Sequence, residues 1–397
     1  MNVSQKFEQF NDSNFGIYVH WPFCESKCPY CDFNSFANYG SIDQADILAG
    51  YIQEILHLRS LTGPKSVSSI FIGGGTPSLM LPPVLDSLLR AIQQSWHVES
   101  WAEITLEANP SNVELGRFKA YRSVGINRLS LGVQALRDFD LQALGRLHTA
   151  RQALVCIDIT AKIFPNFSLD LIYARPNQTL DDWRCELSQV LSLGGQHLSL
   201  YQLIIQEGTL FANKRLAGEL HILEPELAND MYALTQQMTT NAGLKGYEIS
   251  NHAVPGLESQ HNLLYWRCGE YAGIGPGAHG RIISNGYRIA ILNEYLPEKW
   301  LAKINESGNA LIEFAKLSKE EQADELIIMG LRTVEGLNLE RLARIASLIP
   351  MQKKVTELVE QDFLEYAQDF KVLRVKEQGR FIVNKLILEL ASSLEPV

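Results

Sequence analysis

Several features are scarce or missing in this 397-residue sequence, and each absence excludes a class of protein. There is no run of roughly 18 or more apolar residues, which excludes a transmembrane helix. Residues 1–15 have no apolar core and no cluster of arginines, so we expect neither a secretory signal nor a transit peptide. Positive charge is also scarce: 35 basic residues face 45 acidic ones, and a net charge of −10 argues against nucleic-acid binding.

Cysteine is scarce as well, and its distribution indicates the compartment. Six unevenly spread cysteines are too few for a disulfide framework, and Cys156, Cys185 and Cys268 stand alone. We expect these three to be reduced, which predicts a cytoplasmic protein. Because a partner at a membrane needs no anchor in this chain, peripheral membrane association stays open.

The other three cysteines, Cys24, Cys28 and Cys31, lie close together after a short apolar run at 17–19. Three thiolates can reach one metal centre, but an iron–sulfur cluster normally takes four, so one iron would be left to bind a small molecule. A structural zinc site is an alternative that needs a fourth ligand, for which His20 is the nearby candidate. The cysteines could also be ordinary core residues.

Between residues 17 and 203, six apolar strands alternate with helical patterns, which predicts parallel βα units. The predicted strands are 17–19, 69–72, 103–107, 128–131, 168–172 and 197–203. The predicted helices are 42–58, 81–96, 109–124, 137–147 and 180–193. Periodicity alone leaves open whether these units form a barrel or a doubly wound sheet.

The C-terminal half divides into an irregular region and a helical tail. We place a first domain at 1–300, whose part 204–300 is irregular, with Gly273–Gly280 as a loop crossing an open edge. A second domain, 301–397, has helical patterns and one small hairpin, and resembles a winged-helix module. Its predicted helices are 318–332, 339–348, 351–360 and 385–390, and its predicted hairpin joins 371–375 to 380–383. From Glu313 onward, twelve basic and fifteen acidic residues argue against DNA reading.

Polar and glycine residues follow the ends of the predicted strands. They are Gly73–Thr76, Glu107, Gln134, Arg146 and Asp170. In βα barrels this edge carries the active site, and glycine lets the backbone approach a ligand closely. Alone, each polar residue is an ordinary solvated or capping residue, and the glycine triplet an ordinary tight turn.

The C-x3-C-x2-C spacing with Tyr30 before the last cysteine resembles the radical S-adenosylmethionine (SAM) superfamily. This resemblance implies an α/β fold with an incomplete (βα)6 TIM-type barrel. It also implies a [4Fe–4S] cluster on Cys24, Cys28 and Cys31, with SAM on the fourth iron. The chemistry implied is reductive cleavage of the SAM sulfonium to a 5′-deoxyadenosyl radical.

A narrower resemblance covers nearly the whole chain. The segments Tyr18–Cys24, Gly73–Ser78, Leu131–Gln134, Asp170–Tyr173 and Glu325–Arg332 are similar to the oxygen-independent coproporphyrinogen III oxidase family. In that family the glycine loop meets the methionyl amino group, carboxylates hold the ribose, and an arginine meets the methionyl carboxylate. The SAM-site residues implied are Tyr18, Tyr30, Gly74, Gly75, Thr76, Glu107, Gln134, Arg146 and Asp170.

Two features separate this chain from the oxidases of that family. The oxidases carry a further cysteine two residues after the third cluster cysteine, where this chain has Phe33. The segment containing His261, Asn262, Tyr265 and Trp266 matches the H-N-x-x-Y-W motif of the family's haem-chaperone branch. This match implies haem contact by these four residues, with His261 either an axial ligand or a hydrogen-bonded loop histidine.

The resemblance therefore implies one of two functions. The first is a haem chaperone that delivers haem, taken from a haem donor, to acceptor haemoproteins such as respiratory enzymes. The alternative is an enzyme of porphyrin metabolism that oxidatively decarboxylates coproporphyrinogen III to protoporphyrinogen IX.

Overall fold

The computed structural model describes residues 14–37, 43–111 and 116–397, and in this part of the chain a twelve-stranded mixed sheet is the centre. Its first six strands are parallel and neighbour one another in chain order, which is the arrangement of a (βα)6 barrel. They are β1 (Phe15–Trp21), β2 (Ser66–Gly74), β3 (His97–Ala108), β4 (Arg128–Gln134), β5 (Asn166–Tyr173) and β6 (His197–Gln202). The predicted fold class is confirmed.

The helices between these strands cover the outer face of the sheet. They are α1 (Gln44–Thr62), α2 (Pro82–Ser95), α3 (Phe118–Ser123), α4 (Asp138–Ala143), α5 (Ala150–Ile163) and α6 (Leu180–Ser192). Along β1, Ile17 and Val19 are fully buried in the core that also holds Ile55 of α1. Tyr18, which lies between them, points to the other face, because side chains alternate along a strand. One face of the sheet therefore packs in the apolar core, and the other face can present polar side chains.

The crossover between β4 and β5 differs from its prediction. The helix expected over 137–147 ends earlier, as the short α4, and the longer α5 follows it. Thr149 caps α5 and exchanges reciprocal hydrogen bonds with Gln152, a capping box that is visible in the sequence. Of the helix predicted over 109–124, the structure describes only α3, and residues 112–115 lie outside the described residues.

The prediction that residues 204–300 are irregular is wrong. This region contains α7 (Leu210–Leu216), α8 (Pro225–Asn241), α9 (Gln260–Trp266), β7 (Lys245–Gly246), β8 (Asn251–Ala253), β9 (Glu270–Ile274), β10 (His279–Ser284) and β11 (Tyr287–Asn293). β9 pairs with β1 and β8 pairs with β6, so the two ends of the six-stranded barrel stay apart. Gly273 lies within β9, where a Cβ would come within 2.0 Å of the His279 carbonyl oxygen of β10. Close backbone approach, rather than an open loop, explains glycine there.

The sheet also extends past the predicted domain boundary at residue 300. After α10 (Pro297–Ser307), β12 (Leu311–Lys316) pairs with β11. A second hydrophobic core is formed mainly by residues from Ala323 to Leu390, and Cys268 is its one buried member from before the tail. We therefore propose a boundary after Lys316 in place of residue 300.

The tail combines helices with small antiparallel sheets, an arrangement like that of a winged helix. Its elements are α11 (Lys319–Gly330), β13 (Leu337–Asn338), α12 (Leu339–Ala346), β14 (Leu348–Pro350), α13 (Gln352–Glu360), β15 (Leu364–Ala367), β16 (Val372–Val375), α14 (Glu377–Arg380), α15 (Val383–Ala391) and β17 (Leu394–Pro396). The predicted partner of 371–375 is wrong, since β16 pairs with β15. Gly379 is typical of a hairpin turn, but in the structure it lies in α14. A Cβ on Gly379 would be 2.5 Å from the Phe363 carbonyl oxygen, so glycine is needed there for close packing.

Candidate functional site

The cysteine loop follows β1 and is fixed to the backbone around it. The Cys24 amide donates to the Phe36 carbonyl at 2.9 Å, and the Phe36 amide donates to the Pro22 carbonyl at 2.7 Å. Cys24 is buried, while Cys28 and Cys31 are half-buried, and all three are free thiols. Burial raises the pKa of the Cys24 thiol, and hydrogen bonding with Thr76 opposes that shift.

His20, the candidate fourth zinc ligand, is directed elsewhere. Its Nδ1 accepts a hydrogen bond from the Tyr18 hydroxyl at 2.8 Å, so its Nε2 donates to the Asn34 carbonyl at 2.8 Å. Both ring nitrogens are thus engaged. Among residues 14–37, 43–111 and 116–397, no three His, Cys, Asp or Glu side chains are grouped to hold a single metal ion. A cluster of several irons on three thiolates is a different requirement.

The glycine loop after β2 packs directly on the cysteine loop. The Gly75 amide donates to the Trp21 carbonyl at 2.7 Å, and the Thr76 amide donates to the Phe23 carbonyl at 2.9 Å. A Cβ on Gly75 would lie 2.7 Å from the Phe23 carbonyl oxygen and 2.9 Å from the Cys24 sulfur. Gly74 has a φ of 117°, a conformation that favours glycine. Glycine at these positions lets the backbone of the glycine loop pack closely against the cysteine loop.

Two carboxylic acids face each other below this loop. Glu107, at the end of β3, accepts a hydrogen bond from the Gly74 amide at 3.0 Å. Burial raises the pKa of the Glu107 carboxyl to about 8, and the negative charge of Asp170 adds to that shift. Asp170 on β5 accepts from the Ser130 hydroxyl at 2.9 Å, and burial raises the pKa of its carboxyl as well. Both groups can therefore hold hydroxyl groups of a ligand.

Arg146 connects the cysteine loop with the ends of β3 and β4. Its guanidinium donates to the Asn109 side-chain oxygen, to the Gly132 carbonyl at 3.0 Å and to the Cys28 sulfur at 3.6 Å. Gln134 ends β4 at an irregularity in the pairing with β5 and has a φ of 67°, which is unusual for a residue other than glycine. Such strained positions are often found at ligand sites.

These groups line one cavity of about 580 Å³ inside the barrel, which we call the barrel cavity. The structure brings together eleven of the twelve residues predicted for the cluster and SAM, namely Cys24, Cys28, Cys31, Tyr30, Gly74, Gly75, Thr76, Glu107, Gln134, Arg146 and Asp170. Tyr18 is the exception, because it does not line the cavity and its hydroxyl donates a hydrogen bond to His20. Phe33 lines the cavity mouth and is 58% exposed.

Sequence reasoning missed other polar residues of the barrel cavity, including Asn109, Arg128, Ser130, Ser199 and Tyr201. Most lie within strands rather than at their ends. A signal was present, because Arg128 and Ser130 alternate with apolar residues along β4. Two-residue alternation separates the face towards the core from the face towards the cavity.

The H-N-x-x-Y-W residues lie on the short helix α9, which packs against β2 through His261. The His261 imidazole is 1% exposed, its Nδ1 pairs with the Ser69 hydroxyl at 2.9 Å, and its ring stacks on Phe71 with centroids 5.3 Å apart. Burial lowers the pKa of His261 to about 3, and the positive charge of Arg128 acts in the same direction. His261 is therefore a neutral, packed side chain in this structure.

The other three motif residues face different surroundings. Asn262 lines the barrel cavity, and its amide donates to the Tyr247 hydroxyl at 3.5 Å. Tyr265 packs edge-on against both His261 and Tyr271. Trp266 lines a second cavity, of about 810 Å³, between the sheet and the tail. The sequence predicts that these four residues contact haem together, but in the structure they lie in separate environments.

The cysteine loop, glycine loop and open barrel are the features of radical SAM proteins. The family described as Radical SAM superfamily matches residues 18–185, and that described as HemN C-terminal domain matches residues 317–382. The solved structure of coproporphyrinogen III oxidase (HemN) from Escherichia coli has a TM-score of 0.80 at 21% identity and covers 98% of this chain and 92% of its own. That likeness shows the shared fold. The protein is a radical SAM protein.

Relatives with higher sequence identity define the family within this class. The bovine mitochondrial radical S-adenosyl methionine domain-containing protein 1 is 38% identical, over 96% of this chain and 88% of the relative. Heme chaperone HemW from Escherichia coli is 32% identical over 94% and 96%, and that from Bacillus subtilis is 33% identical over 93% and 97%. The chain belongs to the HemW family.

Membership implies a [4Fe–4S] cluster and SAM, and the barrel cavity fits both in its chemistry. Three free thiols share one loop, and the glycine loop lies against them without a side chain at Gly75, where a Cβ would come within 2.9 Å of the Cys24 sulfur. Two carboxyls and a guanidinium complement a ligand that carries hydroxyls and a carboxylate. Among the described residues, no helix is long and apolar enough to cross a membrane.

Proposed function

We propose that this protein is a radical SAM-type haem chaperone, which binds haem and delivers it to haem-requiring proteins. Relatives named Heme chaperone HemW, from three bacteria, share 32–33% identity with it over nearly the whole chain and support this proposal. The acceptors that we propose are respiratory haemoproteins, and haem itself comes from a donor protein. A cytoplasmic location stays a prediction, and the bovine relative is named as mitochondrial.

The observation that carries the proposal is Phe33 at the mouth of the barrel cavity. In the oxidases that this chain resembles, a further cysteine occupies this position. Phe33 is 58% exposed and lines the cavity next to the cysteine loop. A phenyl ring can neither ionise nor donate a proton, so chemistry that needs a thiol at this place is not available.

In the barrel cavity, we assign the cluster to Cys24, Cys28 and Cys31, with SAM on the iron that they leave open. The glycine loop at Gly74–Thr76 receives the methionyl amino group, and Arg146 pairs with the methionyl carboxylate. Glu107 and Asp170 bind the ribose hydroxyls, while Tyr30 and Gln134 complete the wall. When bound, the cluster and SAM together supply reductive radical chemistry, while the fold orients them and excludes water.

The second candidate function is coproporphyrinogen III oxidation. The resemblance of the segments Tyr18–Cys24, Gly73–Ser78, Leu131–Gln134 and Asp170–Tyr173 to the oxidase family favours it. The two functions share one cofactor site and differ in what happens to the porphyrin, which is carried in one and chemically changed in the other.

A paired assay on one anaerobic, cluster-reconstituted sample separates them. Haem is titrated into one portion and followed by absorbance, while another receives SAM, a reductant and coproporphyrinogen III. We expect saturable haem binding and no protoporphyrinogen. Robust turnover without saturable haem binding would overturn the chaperone proposal in favour of the oxidase.

Elemental analysis of the same sample tests the cofactor assignment separately. We expect iron and sulfide in a ratio typical of a cluster, and loss of both when Cys28 is replaced by serine. Colourless protein that contains zinc and no iron would support the structural zinc alternative.

A further inference from the structure

The second cavity lies between the sheet and the tail, and we call it the interdomain cleft. Its barrel side is formed by the end of α9 and by β9 to β11, and its tail side by α11, β13, α12 and β16. Its volume of about 810 Å³ is within the range of about 300–1,000 Å³ that small-molecule and cofactor sites occupy. It is larger than the barrel cavity of about 580 Å³.

One part of the cleft is apolar. Leu264 and Trp266 come from α9, while Leu326, Leu337 and Val372 come from the tail. All of these except Trp266 are buried, and Trp266 is half-buried, so its indole is accessible from the cavity. An accessible indole among leucine and valine side chains is suited to the face of a flat, apolar ligand.

The remaining lining carries an excess of positive charge in a chain whose net charge is −10. Four arginines face three glutamates; the arginines are Arg267, Arg288, Arg341 and Arg374. Each glutamate already has a cationic partner: Glu270 binds Lys65 at 2.6 Å, Glu325 binds Arg281 at 2.6 Å and Glu335 binds Arg267.

Two of the arginines are positioned by weaker contacts. Arg374 Nε donates to the main-chain carbonyl of Glu335 at 3.3 Å. The Arg288 guanidinium donates to the Gly269 carbonyl at 3.4 Å. It also lies 3.5 Å from the Glu325 carboxylate, which forms a closer ion pair with Arg281. Guanidinium groups held in this way are suited to bind carboxylates from a ligand, since their planar geometry matches a carboxylate.

From these observations we propose that the interdomain cleft is the haem site, with the macrocycle against Trp266 and the propionates paired with Arg288 and Arg374. The inference rests on the proposed function, which supplies the ligand, and it names the place where that ligand binds. Haem combines the two properties that the cleft selects, a flat apolar face and two carboxylates. Within the H-N-x-x-Y-W motif, Trp266 then contacts haem, while His261 supports α9 from inside the barrel and lines neither cavity.

The test is an anaerobic haem titration of the full-length, cluster-containing protein and of matched pairs of variants. Trp266→Leu and Arg374→Gln change the cleft, while Trp101→Leu and Arg184→Gln change exposed residues of the same types. We expect each cleft variant to bind haem at least about tenfold more weakly, equivalent to roughly 1.4 kcal/mol. The control variants should stay within about twofold of the parent, and circular dichroism and iron content confirm that every variant is folded.

A second ligand tests carboxylate recognition in particular. Haem dimethyl ester lacks the propionate charges, so the parent should bind it more weakly than haem. Arg374→Gln should discriminate less between haem and its ester, because the arginine that senses the charge is gone. A merely structural role of Arg374 would lower both affinities and leave their ratio unchanged, which would contradict the proposal.

The outcomes separate this inference from the proposed function. A parent protein that does not bind haem overturns the proposed function and the cleft assignment with it. A parent that binds haem, with both cleft variants equal to it, overturns the cleft assignment alone. Competition between saturating SAM and haem would place haem in the barrel cavity and would also overturn it; we expect SAM to leave the haem titration unchanged.

Discussion

Glu107 and Asp170 are carboxylic acids that share one wall of the barrel cavity, and burial makes both harder to ionise. A carboxyl in an unfolded chain has a pKa of about 4.3, whereas that of Glu107 is raised to about 8. Between these values the folded protein holds a proton that the unfolded chain releases. At neutral pH, Glu107 of the ligand-free protein is therefore mainly a hydrogen-bond donor, which is suited to a hydroxyl-bearing ligand.

This raised pKa predicts how the free energy of unfolding depends on pH. The contribution of protonated Glu107 to the free energy of unfolding is fully present below about pH 4.3. It is lost as the pH rises to about 8, by up to about 1.4 kcal/mol per pH unit. Glu107→Gln cannot ionise, so its free energy of unfolding should fall less steeply over this window. Denaturant unfolding of SAM-free protein from pH 5 to pH 9 measures the difference. Exposed Glu219→Gln is the control and should follow the parent, and a parallel course for Glu107→Gln would contradict the assigned pKa.

At the scale of elements, the barrel cavity is formed by loops that contact one another, and the cysteine loop and the glycine loop are in close backbone contact. A Cβ on Gly75 would come within 3.0 Å of both the Phe23 carbonyl oxygen and the Cys24 sulfur, so the backbone must shift to accept it. We expect Gly75→Ala to displace the cysteine loop, to cost about 1–3 kcal/mol of stability and to lower iron content.

Iron per chain after anaerobic reconstitution and the midpoint of denaturant unfolding measure this effect. Gly195→Ala is the matched control, because its Cβ would meet Leu169 at 3.4 Å, an ordinary contact. If Gly75→Ala kept full iron content and stability, the cysteine and glycine loops would not be in close contact.

Some residues of the barrel cavity can be predicted from the sequence and others cannot. Glu107 can be predicted because it lies at the end of a strand, and parallel strands bring their ends to one rim. Asp170 lies within β5 and Arg146 in the crossover after β4, so their prediction depends on the family resemblance. Ser199 and Tyr201 were missed because a polar residue inside a strand is assigned to solvent unless the curvature of the sheet is known. The glycines around Gly273 suggested a loop, since composition does not distinguish an open turn from close backbone approach.

The arrangement of the H-N-x-x-Y-W residues could not be predicted from the sequence. Its residues are adjacent in the chain, so they were expected to contact one ligand together. The helix α9 instead crosses from the barrel interior to the interdomain cleft, and Asn262 and Trp266 face different cavities. Only tertiary packing decides which side of a seven-residue helix faces which cavity.

For the molecule as a whole, the tail is joined to the sheet by ion pairs that surround the interdomain cleft. Glu325 of α11 binds Arg281 of β10 at 2.6 Å and Arg288 of β11 at 3.5 Å, and all three side chains are at most one-quarter exposed. Arg267 and Glu335 form a second link beside it. These links fix the width of the cleft, so their loss should affect the tail more than the barrel.

Glu325→Gln tests this coupling, because it keeps the shape of the side chain and removes the charge that two arginines share. We expect it to cost about 1.5–3 kcal/mol, the range for hydrogen bonds to charged groups. Hydrogen exchange should increase in α11 and along β10, while β2 to β5 keep the protection of the parent. Glu340→Gln, whose partner Lys371 is also exposed, is the matched control and should cost no more than about 1 kcal/mol. Equal effects of the two substitutions, or faster exchange throughout the barrel, would show that the Glu325 ion pairs do not hold the tail to the sheet.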